Sequence, residues 1–130
     1  MSRLLLLLCL ALAPLVAAAQ KADAAQVDAV SSAAECLAVG LPEKWKQLQV
    51  IIALRKPLAD DVGVLYMVTL PDGRVEPFTP CDPRLPPVKL VGLRDNQPEK
   101  DRGWIKMILT MQPDASFNIK YEYPEPKPKK

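Results

Sequence analysis

The sequence reads as an α+β protein, with one N-terminal helix packed on a twisted antiparallel sheet of about five strands and a long Pro-rich crossover loop. Apolar residues recur at spacings of three and four between positions 25 and 41, the mark of a helix with one buried stripe. Later runs alternate apolar and polar residues between Pro, Asp and Gly punctuation, as half-buried strands do. Between them, 79–102 abandons the alternation, and Pro80, Pro83, Pro86, Pro87 and Pro98 interrupt a highly charged stretch.

The helix stripe is Val27, Val30, Ala34, Leu37 and Leu41. Asp23 is placed to cap the first turn, and Gly40 sits where a helix can end. Cys36 falls on the flank of the stripe. After Pro42 and Trp45, a first strand sets Leu48, Val50, Ile52 and Leu54 on one face, because side chains alternate along a strand. A second strand over 62–70 does the same with Val62, Val64, Tyr66 and Val68, and 56–61 forms the loop between the two. Pro71-Asp72-Gly73 then turns the chain, Gly accepting the positive φ that such turns require. Pro77 makes the third strand an edge or a very short one.

The apolar cluster Leu85, Val88, Leu90, Val91 and Leu93 suffices for one short turn of helix inside the crossover loop. A loop of this length is either functional or a strap across the core. A final hairpin spans 104–112 and 117–123 around Pro113-Asp114-Ala115. Ile105, Met107, Leu109 and Met111 share one face of its first strand, with Trp104, Lys106, Ile108 and Thr110 on the other. That strand is expected to be central and partly covered on both faces. Phe117, Ile119, Tyr121 and Tyr123 point together toward the core. Trp104 and Tyr121 are either core aromatics or a ligand platform.

Residues 1–19 have the layout of a secretory signal: Arg3, an apolar run from Leu4 to about Val16, then Ala17-Ala18-Ala19;. The run is short for a membrane span, so no stable insertion is expected after cleavage. A single domain over 20–123 and a disordered Pro/Lys tail over 124–130 follow. The expected location is periplasmic or secreted. Cys36 and Cys81 are the cysteines outside the signal, and an exported pair favours a disulfide over the rival reading of two reduced thiols.

The net charge of +2 and the absence of a basic stripe disfavour nucleic acid;. The chain has no His, which removes the commonest general base and metal ligand. It has no nucleophile elbow, dinucleotide loop or phosphate loop. Asp60 and Asp61 are adjacent and would face opposite ways in a strand. The expectation is a binding protein with no catalytic residues, no cofactor and no metal.

The order of elements resembles the YezG-type immunity proteins, small α+β partners of bacterial polymorphic toxins. A leading helix, Pro42 with Trp45, a charged hairpin, a variable middle, Trp104-x-x-Met107-x-Leu109 and Phe117-x-x-x-Tyr121-x-Tyr123 carry the resemblance. It spans about Leu41 to Tyr123. The chain departs from the family pattern at Ala115, where the turn usually has Gly after Asp, and in its apparent export. The resemblance implies a protein partner, a toxin or effector whose active site is occluded. Asp60, Asp61, Asp95, Glu99 and Asp101, in loops expected at one end of the sheet, are the candidate contacts. Trp45, between Lys44 and Lys46, is a candidate exposed anchor. The alternatives are an envelope or secretion accessory protein that binds a peptide or small apolar ligand, and a small hydrolase or inhibitor of a host enzyme.

Overall fold

The computed structural model describes residues 23–125; the expected signal at 1–19 and the tail beyond Glu125 lie outside the described residues. The elements are α1 (Ala24–Val39), β1 (Gln47–Leu54), β2 (Val62–Thr69), β3 (Val75–Pro77), α2 (Leu85–Val91), β4 (Lys106–Met111) and β5 (Phe117–Glu122). Short 3-10 turns at Gly92–Asn96 and Glu99–Asp101 separate α2 from β4. The fold is α+β, and its antiparallel sheet has the strand order β3-β2-β1-β4-β5.

β1 is central, with β2 on one edge and β4 on the other, and its apolar run is buried on one face between those neighbours. Leu48, Val50, Ile52 and Leu54 are buried on the helix-facing side, together with Met107, Leu109 and Met111 of β4. Tyr66 and Val68 of β2 join them, and no charged or polar residue is buried among the described residues.

The Asp23 side chain accepts the Gln26 backbone N–H at 2.8 Å and starts α1, as an N-cap does. The buried stripe of α1 is rotated relative to the expected one. Val30, Ala33, Cys36 and Leu37 face inward, whereas Val27 is 45% exposed. The large residues Val30 and Leu37 fill the core, and Ala25, Ala29 and Ala34 pack at its margin, where their small side chains let α1 lie against α2 and the turn after it. Gly40 ends the helix at an ordinary negative φ of −91°. Its missing side chain serves a close approach instead: a Cβ there would collide with the Thr79 carbonyl.

The crossover stretch is a strap folded on the core. A disulfide joins Cys36 of α1 to Cys81, with Cα atoms 4.8 Å apart across a separation of 45 residues. In the chain-entropy model, closing a loop of that length contributes on the order of 4 kcal/mol. The Tyr66 hydroxyl donates to the Pro83 carbonyl at 2.6 Å. Burial, with the Asp82 carboxylate nearby, pushes that hydroxyl's pKa up to about 12. α2 then buries Pro86, Pro87 and Leu90; the prolines sit in its first turn, where a missing N–H leaves no intrahelical bond unmade.

Two expectations about the aromatic residues need correction. Trp104 is fully buried, not on the outer face with Lys106 and Ile108. Lys106 is opposite Glu122 in the register, yet the Ile105 N–H also donates to the Glu122 carbonyl at 2.8 Å. Two residues thus face one, the count of a β-bulge, and the bulge reverses the alternation before β4. Tyr123 is 46% exposed rather than in the core, because its hydroxyl reaches outward to the Asp101 carbonyl at 2.8 Å. β4 lies inside the sheet between β1 and β5, and Lys106, Ile108 and Thr110 on its outer face are half-buried, as expected of a strand partly covered on both faces.

Candidate functional site

Leu54 pairs with Val62, Ala53 with Lys106, and Lys106 with Glu122. The loop 55–61, the approach to β4 and the end of β5 therefore leave the sheet at one end. Loops there can vary without disturbing the ladders, so binding residues on a rigid scaffold often occupy such positions.

The expected contact residues divide as follows. Asp60 and Asp61 are exposed in the β1–β2 loop, and Asp61 lies 3.5 Å from Arg55 in a solvent-exposed pair. Asp95 and Glu99 are exposed in the two 3-10 turns, and Asp101 is half-buried. An Arg94 guanidinium N–H reaches the Ala59 carbonyl at 3.2 Å, which ties the strap to the loop that holds Asp60. Asp101 belongs to another neighbourhood, beside Asp23, Gln26 and Tyr121. Trp45 stands apart from all of them at the start of β1, half-buried against the core, and is not the exposed anchor that its lysine neighbours imply. Arg55, Lys56, Arg94, Lys100 and Arg102 alternate with the acids, so this end of the sheet carries opposite charges side by side and no acidic field.

A feature that the sequence reading missed lies next to Asp60. A groove of about 530 Å³ runs between β2 and α2, within the size range of ligand sites. Val62, Val64, Pro87, Val88 and Val91 make its apolar floor, and Asp60, Arg84 and Arg94 stand at its rim. Val88 is 70% exposed, an unusual place for a large apolar side chain on a helix that buries its other face. Arg94 is held over the Trp104 ring at 5.7 Å from its centroid, while the Trp104 indole N–H donates to Gln97 at 3.0 Å. Trp104 stacks at 5.6 Å on Tyr121. Trp104 thus positions a rim cation from inside the core. The Arg84 side chain is 95% exposed, its Nε 4.0 Å from the Asp82 carboxylate.

One signal for the groove was present in the chain. A three-residue β3 ended by Pro77 cannot cover an eight-residue β2, and the uncovered half of β2 forms one wall of the groove. Among the described residues, no group of three or more His, Cys, Asp or Glu side chains is placed to hold a metal ion. No described helix is long and apolar enough to cross a membrane. The disulfide points to an oxidising environment;. No protein-family model and no curated protein matches the chain.

Proposed function

We propose that this chain is an exported, periplasmic, non-catalytic binding protein whose partner docks where the groove and the charged loops meet. The observation that carries this reading is the juxtaposition of an exposed apolar concavity with charged rim residues, Asp60, Arg84 and Arg94, on a disulfide-stapled sheet. Such a surface has the parts of a recognition site: an apolar centre that releases water and charges that set orientation and association rate. In its most concrete form, drawn from the YezG-type resemblance, the partner is a toxin whose active cleft this end of the sheet occludes.

Co-expression with neighbouring gene products, followed by pull-down from the periplasm, tests the proposal. A stoichiometric complex is expected. Reversing Asp60, Asp61, Asp95 and Glu99 together should slow association and weaken protection against the toxin, while the free domain keeps its melting temperature. A partner whose affinity ignores both these reversals and a Val88→Glu change would place the interface elsewhere and defeat the reading. The apolar floor favours a second reading, an accessory protein that binds a peptide or small apolar ligand. Under that reading, binding would depend on Val88 and not on the loop carboxylates.

A further inference from the structure

We infer that the groove is completed by a strand: an extended peptide segment of a partner protein adds to the free edge of β2, seats small apolar side chains on the groove floor and turns a carboxylate to Arg84. The inference rests on the reading of the groove as the binding site and deepens its peptide-binding form.

The edge is identified by the hydrogen-bond pattern. The Phe78 N–H donates to the Tyr66 carbonyl at 3.1 Å, so the backbone groups of Tyr66 face the β3 side of β2. In an antiparallel ladder the residues facing one neighbour recur every second position. Val64 and Val62 therefore present their N–H and C=O groups on the same side. There β3 has already ended, since it pairs only with Met67, Val68 and Thr69. No backbone or side-chain partner within the fold occupies these edge groups among the described residues. The same two valines line the groove. One pair of residues thus offers the main-chain bonds that hold an added strand and the pocket that selects its side chains, the two requirements of strand addition.

The edge also lacks protection. Exposed edges are ordinarily blunted by Lys, Pro or a bulge. β3 carries Pro77, and β5, at the opposite edge, carries Lys120 and Glu122. Residues 62–65 read Val-Gly-Val-Leu, with no charge and no proline, and Leu65 is 59% exposed. Charge sets the register of the added segment. Arg84 follows Pro83, which Tyr66 binds, and so marks the inner end of the groove. Asp60 marks the outer end, next to Val62. An antiparallel segment runs from Tyr66 toward Val62, so its acidic residue precedes its apolar ones.

The test is selection from a display library of random nonapeptides against the disulfide-bonded protein, then hydrogen exchange with the enriched peptides. The expected sequences carry small apolar residues at alternate positions after an Asp or Glu. Binding should slow exchange of the Val62 and Val64 amides at least tenfold. Val64→Pro removes the outward N–H together with a half-buried groove side chain and should weaken binding at least tenfold while circular dichroism shows the fold retained; the surface change Val88→Glu should weaken binding likewise at unchanged melting temperature. Enrichment of peptides without alternation, or no enrichment, overturns the inference. Peptides whose affinity falls with Val88→Glu but which leave the Val62 and Val64 amides unprotected also overturn strand addition, while leaving the groove as a binding site.

Discussion

The two strand-turn-strand units that flank β1, one closed at Pro71-Asp72-Gly73 and the other at Pro113-Asp114-Ala115, share a turn and diverge in everything after it. The Gly73 N–H donates to the Leu70 carbonyl and the Ala115 N–H to the Gln112 carbonyl, each at 2.9 Å. Leu70 and Gln112 then donate to Arg74 and Ser116, at 2.8 and 2.9 Å. In both, the turn Asp accepts the N–H two residues on, at 3.0 Å from Arg74 and 2.9 Å from Ser116. Yet β3 has three exposed residues, whereas β5 runs for six and keeps Phe117, Ile119 and Tyr121 against the core. Turn chemistry reverses the chain; it does not decide how far the returning strand pairs. β3 stops because the chain must leave the edge to reach Cys81, and that early departure exposes the half of β2 that borders the groove.

The sharpest contrast should come from side chains packed on the returning strands. Trp104→Ala removes a fully buried side chain that stacks on β5 and should cost about 4 kcal/mol in urea denaturation. Val75→Ala in β3 touches an exposed position and should stay within about 0.5 kcal/mol. Equal costs would mean that both edges bear load and that the shortness of β3 has no energetic meaning.

The turns themselves differ at one residue. Gly73 has φ +93° and Ala115 φ +70°, and an L side chain in the left-handed region costs roughly 1–2 kcal/mol. Ala115→Gly relieves that strain but enlarges the freedom of the unfolded chain, leaving a net gain of about 0.5 kcal/mol. Gly73→Ala should lose about 1 kcal/mol, although nothing crowds a Cβ there;. Thermal denaturation of both variants checks the pair, and opposite signs are expected.

The smallest effect is the acid response. The Arg74 backbone N–H and then its guanidinium hold the Asp72 carboxyl below its ordinary range, whereas the Ser116 hydroxyl and then its backbone N–H do so for Asp114. A carboxyl depressed on folding contributes stability that is present above its unfolded pKa and is lost as pH falls through the folded one. Asp72→Asn and Asp114→Asn should each flatten the decline in melting temperature below about pH 4. High salt should shrink the Asp72 contribution more, because only its partner is charged.

Much of this fold was legible in the chain because its signals are local. Period-two alternation sorted the faces of β1 and β2, since successive strand side chains point to opposite sides whatever the neighbours. Asp23 and both Pro-Asp turns act within a few residues of themselves, and the two cysteines outside the apolar N-terminal run leave one intramolecular pairing. What the chain alone left open depends on contacts between distant segments. The bulge at Ile105 reversed the alternation and buried Trp104, a choice made by packing against Tyr121 and Gln97. Gly40 is required by Thr79, far along the sequence. The loop acids were readable one by one, but that Asp101 lies apart beside Tyr121 and that Arg94 ties the strap to the Asp60 loop depend on placement in space. The groove exists because three residues of β3 meet eight of β2 while α2 closes from the other side, and an uncovered edge is a property of neighbouring strands, not of any one.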